Sequence, residues 1–483
     1  MSDHTFKQYH LCNEILETLS LLKYNNPTKV QELVIPAALK NQDILVKSRT
    51  GSGKTASFGI PICEMIDWEK KRPQALILVP TRELALQVSE ELSNIGRFKK
   101  IKVCTVFGRM PMKAQIQALK QKTHIVVGTP GRTLDLITRG DFITDELTHV
   151  VIDEADEMFF IGLREQVESI LKVMPEKRNT MLFSATLEED VKKLANQYMK
   201  DPVEIELAEE EKEKSRTSQS AILTSEREKM ELLKKVTITE NPDSCIIFAN
   251  TQKEVDAVAD YLSRNEYPCG RLHGGMEQRD RIRIIQDFKR NKFRYLIATD
   301  VAARGIDIDN ISLVINYDIS RGIENYVHRI GRTGRYESTG KAITFYLDKE
   351  KEKLEAIESY TGVSIERLDL IPEPTELQKT EFMTKLKRRV QFKQEKGAKI
   401  NEGITKLQIN AGKKAKIRPC EIVATICGID GITKDDIGII QIVDTASFVE
   451  ILNGKGNQVL KGIQTKTIKG KSRKVFRARR EQH

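Results

Sequence analysis

The run SRTGSGKT at residues 48–55 is the first place where residue types and spacing point to chemistry. It follows a predicted strand and opens a predicted helix, which is the context of a phosphate-binding loop. Gly51 and Gly53, on either side of Ser52, let backbone N–H groups approach phosphates. Lys54 has the reach for β- and γ-phosphates, and the Thr55 hydroxyl suits magnesium. The usual first glycine of such a loop is Ser48 here, so the context carries the reading. VVIDEAD at 150–156 ends a predicted buried strand in adjacent acids. Asp153 suits a magnesium ion held through water, and Glu154 suits orienting or deprotonating an attacking water. An isolated acid cluster is usually a solvated helix start. Downstream of a phosphate loop it reads as the matching hydrolysis site. HRIGRTGR at 328–335 spaces Arg329, Arg332 and Arg335 three apart, on one face of a helix or turn. Such a row suits charge developing on a γ-phosphate held by another unit. The alternative is a solvated basic face, against which Gly331 and Gly334 argue.

These residues need elements to hold them. Residues 1–208 alternate short apolar runs, such as QALILVP (74–80), HIVVGT (124–129) and HVVID (149–153), with helix-length spacers. Apolar runs without polar alternation suit parallel strands buried on both faces, and their alternation with helices suits a doubly wound domain. EEEKEKSRTSQ at 209–219 reads as a linker. The pattern restarts over 220–368, with SCIIFAN (244–250), RYLIATD (294–300) and SLVINYD (312–318), as if the unit were duplicated without its phosphate loop. A charged linker is expected at 369–403. Residues 404–483 then read as β-α-β-β-α-β, a split βαβ sandwich.

A chain of 483 residues suits about three domains. With 39 % apolar and 31 % charged residues it has enough to build cores. It has no 18-residue apolar run and no secretory signal pattern, so a cytoplasmic protein without membrane attachment is expected. Seven scattered cysteines without a CxxC pair speak against zinc or a disulfide framework. Charge is unevenly divided. The net charge is +10, and residues 404–483 hold 16 Lys and Arg against 7 Asp and Glu. A near-neutral body with a basic end implies an anionic partner gripped there.

PTKVQ (27–31), SRTGSGKT, PTREL (80–84), TPGR (129–132), DEAD (153–156), SAT (184–186), ATDVAARGID (298–307) and HRIGRTGR occur in this order. The chain resembles a DEAD-box RNA helicase over about residues 6–360. The resemblance implies two tandem RecA-like doubly wound parallel-sheet domains, with ATP and Mg2+ between them and RNA across both. Gln31 would read the adenine edge and Tyr9 would stack on the base. Asp307 would touch the ribose, and Arg332 and Arg335 would act as arginine fingers. Ser184 and Thr186 would couple hydrolysis to domain closure, with His328 across the cleft. Arg82, Thr129, Gly131 and Arg132 would contact RNA from the first domain, and Gly274, Gln278, Arg281 and Thr299 from the second. Lys23, Ser48-Arg49 and Gly108-Arg109 depart from the family pattern. Arg109 adds a cation where RNA would pass.

The C-terminal unit resembles the RRM-like RNA-recognition domain of DbpA-type helicases, which bind a large-subunit ribosomal RNA hairpin and assist subunit assembly. Its stacking platform looks poor: Gln408 and Ala446 stand where aromatics are usual, and Phe448 is either a stacking residue or core. Lys469, Lys471, Arg473, Lys474, Arg477, Arg479 and Arg480 therefore carry the expected RNA grip. The expected activity is RNA-dependent ATP hydrolysis by a monomer that opens short duplexes. The alternatives are an ATP-gated RNA clamp and, less favoured, a DNA motor.

Overall fold

The computed structural model describes residues 5–48, 51–207, 217–303, 308, 311–334, 339–368, 371–388 and 400–478. The first sheet is wholly parallel. Its strands are β1 (Ile44–Lys47), β2 (Ala75–Leu78), β3 (Val103–Val106), β4 (Ile125–Gly128), β5 (His149–Ile152), β6 (Asn179–Ser184) and β7 (Val203–Glu206). They lie in the order β3-β4-β2-β5-β6-β1-β7. Successive residues of a strand point to opposite faces. Ala75 and Ile77 accordingly enter one core, and Leu76 and Leu78 enter the other. Helices cover both faces, which is why the inner strands β2, β4 and β5 are almost wholly apolar, whereas edge strand β7 carries exposed Glu204 and Glu206.

The second sheet contains β8 (Thr217–Leu223), β9 (Cys245–Phe248), β10 (Cys269–Leu272), β11 (Tyr295–Ala298), β12 (Leu313–Asn316), β13 (Gly340–Tyr346) and β14 (Glu366–Leu368). Its order, β10-β11-β9-β12-β13-β8-β14, repeats the first strand for strand. The chain is thus a tandem α/β pair, followed by a small antiparallel domain. That domain has β15 (Thr405–Ile409), β16 (Ile437–Ile442) and β17 (Ser447–Ile451), a short hairpin of β18 (Thr467–Ile468) and β19 (Lys471–Ser472), and β20 (Val475–Arg477). The order β16-β17-β15-β20 leaves one sheet face for helices Pro419–Cys427 and Gly456–Gly462. Its apolar core is its own, built around Leu407, Ile422, Val449 and Val459.

Two expected linkers are shorter than their composition implied. Residues 217–219 already belong to β8, where Thr217 pairs with Gly340 and Gln219 is buried. Ladder pairing satisfies their backbone, so polar side chains do not prevent a strand. Within 369–403, residues Glu376–Lys387 form a helix started by a Thr375–Gln378 capping box. Buried Phe382 holds it to the second domain, its ring 5.2 Å from that of Tyr267. Leu386 packs on the same core and Lys385 Nζ donates to the Asn241 carbonyl at 2.6 Å, contacts of which the charged sequence gave no sign. Among the described residues no helix is long and apolar enough to cross a membrane.

Two buried histidines make the first domain sensitive to acid. His149 opens β5, and His124 precedes β4 with its Nδ1 accepting the Lys102 N–H at 2.9 Å. Burial pushes both imidazoles down to about 4 from the ordinary 6.5. Below 6.5 the unfolded chain therefore takes up protons that the folded chain refuses, and stability is lost as pH falls toward 4. The expected result is a melting temperature that drops between pH 7 and pH 5, and a flatter slope for His149→Leu. Fluorescence of Trp68, the chain's single tryptophan, reports on this domain because its carbonyl contacts His124 Nε2 at 3.3 Å. Equal slopes for both proteins would show that His149 is not a source of the loss.

Candidate nucleotide and nucleic-acid site

β1 ends at a loop whose return is made by Gly51 (φ 86°) and Gly53 (φ 91°), both left-handed, where glycine is favoured. Gly53 caps helix Lys54–Met65, and a Cβ there would lie 2.7 Å from Gln31 Nε2. Arg49 and Thr50 lie outside the described residues. Lys54 is buried and folds back, its Nζ donating to the Ser48 carbonyl at 3.1 Å. Ser48, in place of the usual glycine, is also buried and shares a hydroxyl bond of 2.6 Å with Ser52. Thr55 stands half-buried in the first turn. Gln31 is part of a capping box: its Oε1 accepts the Thr28 N–H (3.0 Å), and its Nε2 donates to the Gly53 carbonyl (3.2 Å). The Thr28 hydroxyl donates to the Ser52 carbonyl at 3.0 Å, so this helix clamps the loop from outside. Tyr9 is half-buried edge-on to Phe6, and burial raises its phenol pKa.

Asp153 and Glu154 follow β5. Both are raised above the ordinary carboxylate range, chiefly by burial, Glu154 to about 7. Lys54 lowers both, and Asp153 adds to the rise of Glu154. Glu154 takes up φ 54°, and its N–H donates to Asp153 Oδ1 at 3.0 Å. Asp153 offers a buried carboxylate at the end of β5 and Thr55 a hydroxyl in the first turn after the phosphate loop, oxygen donors of the kind that suits Mg2+.

Asp156 was not singled out by the sequence reading, although it lies in the same acidic quartet. Its Oδ2 accepts the N–H groups of Ala185 (3.0 Å) and Thr186 (3.1 Å), and the Thr186 hydroxyl at 3.4 Å. Its own N–H donates to Ser184 Oγ at 3.3 Å. The acidic turn and the SAT turn are thereby one unit.

The second domain approaches at two places. Arg332 is buried, and its charge lowers the pKa of Glu154 across the cleft. Farther along, Arg82 Nη1 donates to Gln278 Oε1, and Gln278 Nε2 donates to Glu83 Oε1, both at 2.9 Å. Arg281 Nη2 lies 3.0 Å from Glu83 Oε1. Burial lowers the Arg82 pKa, and the neighbouring charges of Arg109, Arg281 and Arg132 add to that fall. This is a concentration of cations around one buried acid. Glu83 is the member that sequence did not flag, because acids are common in a helix's first turn. Nearby, Thr129 caps helix Pro130–Thr138, and a Cβ on Gly131 would meet nothing within 4 Å. Gly274 lies before helix Gln278–Lys289, and Thr299 is buried at the end of β11.

The arginine row does not share one face. Arg329 is 1 % exposed and points into the second domain, whereas Arg332 reaches the cleft. His328 lines a small cavity with Asp300, Asn325 and Arg332. Arg335 and Asp307 lie outside the described residues.

In the third domain, register sets Gln441, Phe448, Gln408 and Phe476 in one row across the sheet. Their neighbours Leu407, Val449 and Val475 face the core, so this row lies on the opposite, open face. Phe448 is thus not core. Lys406 Nζ stands 5.3 Å from its ring centroid. Phe476 is 49 % exposed and supplies the second aromatic, missed because its strand was read for its arginines. The basic residues are less uniform than expected. Lys469 Nζ donates to the Lys416 carbonyl at 2.7 Å, and Arg477 bonds Asn457. Lys471 and Lys474 are exposed and Arg473 is half-buried. Arg479 and Arg480 lie outside the described residues. The domain rests on the first one through Arg97–Glu450 (3.3 Å) and through Lys102 Nζ, which donates to the Ile440 carbonyl at 2.6 Å.

Comparison with known proteins agrees with this arrangement. Residues 28–194 match the DEAD/DEAH box helicase model, 228–337 the helicase conserved C-terminal domain, and 406–477 the DbpA RNA binding domain. The chain is 53 % identical over 475 residues to the ATP-dependent RNA helicase DbpA of Bacillus subtilis, covering 98 % of this chain and 99 % of that one. It is 39 % identical over 364 residues to the DEAD-box ATP-dependent RNA helicase CshA of Geobacillus kaustophilus, covering 75 % and 78 %. Among solved structures, S. cerevisiae Dbp5 bound to RNA and ADP BeF3 superposes with a TM-score of 0.70 at 31 % identity, covering 80 % of this chain and 100 % of that one. Mss116p bound to ssRNA and AMP-PNP gives 0.68 at 27 % identity, covering 79 % and 82 %.

The Asp156 bridge leads to a specific expectation. Asp156→Asn keeps the shape but removes the charge that accepts bonds from Ala185 and Thr186. Bonds to charged acceptors are worth about 1.5–3 kcal/mol each. Turnover of ATP at saturating RNA should fall about tenfold or more, with affinity for a fluorescent ATP analogue little changed. Unaltered turnover would mean that the two turns need no charged link.

Proposed function

The chain belongs to the DEAD-box family of ATP-dependent RNA helicases and ends in a DbpA-type RNA-binding domain, and we propose that it opens short RNA duplexes locally while that domain anchors it to large-subunit ribosomal RNA during subunit assembly. The observation that carries this reading is the pairing of Arg82 and Glu83 with Gln278 and Arg281 across the cleft, which joins three side chains that the family motifs assign to RNA, Arg82, Gln278 and Arg281, around one acid. RNA lying there touches both domains, so its binding favours the arrangement that brings Arg332 toward Glu154. Gly51, Ser52, Gly53 and Lys54 hold the phosphates in this proposal, and Gln31 and Tyr9 hold the adenine. Thr55 and Asp153 hold Mg2+, which supplies neutralising charge to the phosphates. Glu154 takes the proton of the attacking water. Arg332 and Arg335 face the transferred phosphate, and Asp307 meets the ribose. Ser184, Thr186 and His328 tie hydrolysis to the RNA groove. Arg109, Arg132, the Thr129 helix start, Gly131, Gly274 and Thr299 complete a backbone-directed grip, which positions RNA without reading sequence.

Sequence preference then falls to the third domain. Its open face offers Phe448 and Phe476 for unpaired bases, with Lys406 beside them and Lys471 and Lys474 exposed on the following segment. Such a surface suits a looped, unstacked RNA rather than a regular duplex. One chain supplies both halves of the nucleotide site, which supports a monomeric enzyme, and an RNA substrate in a ribosome precursor supports a cytoplasmic place of action.

Removal of residues 404–483 should leave maximal ATPase similar but raise the RNA concentration needed for half-maximal rate. It should also abolish preference for a large-subunit ribosomal hairpin over a scrambled RNA of equal length. Phe448→Ala and Phe476→Ala should each weaken hairpin binding by about 1–3 kcal/mol, the worth of a stacked base. Changing the cations at 469, 471, 473, 474, 477, 479 and 480 to Gln should instead reduce salt dependence, by about 0.7 in log–log slope for each phosphate no longer neutralised. RNA-stimulated ATPase at several salt concentrations measures all three. Equal half-maximal concentrations for both RNAs in the full chain would defeat the ribosomal assignment, and Lys54→Ala retaining turnover would defeat the nucleotide site.

A further inference from the structure

The second domain repeats the first strand for strand, and it also repeats the positions of two chemical groups. Helix Lys54–Met65 follows β1 and opens on a lysine, and helix Lys229–Glu240 follows β8 and opens on a lysine. Asp153 lies just past β5, and Asp318 just past β12, the corresponding strand. In the second domain these two groups are in direct contact, Lys229 Nζ to Asp318 Oδ1 at 2.7 Å, both buried. The other carboxylate oxygen of Asp318 accepts the Asn250 N–H at 3.0 Å.

Beside this pair stands Arg329. Its Nη1 donates to the Asp318 carbonyl at 2.6 Å, and its Nη2 to Asn250 Oδ1 at 3.0 Å. Nε and Nη2 grip both oxygens of Asp300, the latter at 2.7 Å. The guanidinium lies 5.2 Å from the Phe248 ring centroid. Asn250, Asp300 and Asp318 follow β9, β11 and β12. The carboxyl ends of parallel strands are where open α/β sheets receive ligands. Here a side chain of the protein occupies that place.

The neighbours of this arginine give it a task. Asp300 follows Thr299, assigned to the RNA groove. Arg332 lies one turn beyond Arg329 and bears on Glu154 in the other domain. We propose that Arg329 is a positioning residue: its paired bonds to Asp300 tie the RNA-facing end of β11 to the turn carrying Arg332, so that engagement of RNA sets the reach of Arg332 across the cleft. The proposal rests on the helicase reading above. A guanidinium meets a carboxylate with two parallel bonds and an ammonium does not, so lysine cannot replace it.

The test uses the full chain with Arg329→Lys, Asp300→Asn and the double variant. Three quantities are measured: binding of a fluorescent ATP analogue, ATPase with and without RNA, and RNA affinity with ADP and with ADP–beryllium fluoride. Arg329→Lys should bind the analogue as the parent does, lose at least tenfold in turnover at saturating RNA, and gain much less RNA affinity from beryllium fluoride. Asp300→Asn should show the same pattern, and the double variant should lose no more than the worse single one, because coupled partners are not additive. A merely structural role would lower the melting temperature and leave the fluoride-dependent gain intact, which would overturn the proposal. So would independent, multiplying losses in the double variant. If Arg329→Lys fails to fold, Asp300→Asn alone decides, and parent-like turnover and coupling in it would overturn the proposal. Absence of RNA-stimulated turnover in the parent chain would remove the helicase premise and this proposal with it, an outcome read before any variant is compared.

Discussion

Glu83 is a carboxylate buried among arginines, and the joining of the two large domains turns on it. From the second domain Gln278 donates to it and Arg281 forms an ion pair with it, while Arg82 beside it reaches back to Gln278. Without Glu83 the buried cations would face one another uncompensated, which costs more than the pair itself contributes. With it, they form a charged seam that belongs to neither domain alone. In the proposed function, a backbone phosphate entering there would meet donors already oriented. The same arrangement of the two domains sets the charge of Arg332 against Glu154, whose pKa burial raises to about 7.

The wider constraint is that parallel strands expose their chemistry at one end. Each domain's inner strands are buried on both faces, so the side chains that can meet a ligand or the other domain gather in the loops at their carboxyl ends. In the first domain those loops hold a glycine-rich turn and two acids, with Lys54 folded back on Ser48. In the second, the same topology ends in a closed set of ion pairs around Arg329 and Lys229. One fold thus serves once as a ligand site and once as a rigid support for groups presented to its twin. Rigidity is what the second role requires, and paired, hydrogen-bonded charges in a dry site provide it.

The architecture and the glycine-rich turn before Lys54 were legible in the sequence because each depends on local pattern. Apolar runs at strand length and glycines beside a lysine carry their meaning within a few residues. Asp156, Glu83 and Arg329 were not legible in the same way. Their roles arise from partners at distant positions, Thr186, Arg281 and Asp300, that only the fold brings together. Arg329 shows the difficulty most clearly: helical spacing groups it with Arg332, yet burial turns the two in different directions. The helix at Glu376–Lys387 was not legible for the opposite reason, since a few contacts, buried Phe382 with Leu386 and the Lys385 bond to the Asn241 carbonyl, anchor a segment whose composition otherwise reads as solvent-exposed. Phe476 was legible in principle through its alternation with Val475, but a row of arginines drew attention to charge instead.

The third domain extends the division between positioning and reading. In the proposed function, helix starts and arginines in the core address phosphates, which are the same in every RNA. The row of Gln441, Phe448, Gln408 and Phe476 would then address bases, and only bases out of a duplex could reach it. The two surfaces are not independent bodies on a string, because Arg97 and Lys102 of the first domain meet Glu450 and the Ile440 carbonyl on β17 and β16. Glu450 lies on the same open face as Phe448, two residues along the strand. The contact therefore takes the β16 side of that face and leaves the side toward β20, with Phe476, open. A loop held there is presented at a fixed distance from the cleft. On the proposed reading the duplex offered to the core would be the one adjoining the loop, so selectivity would arise from geometry and would need no base-reading group in the core.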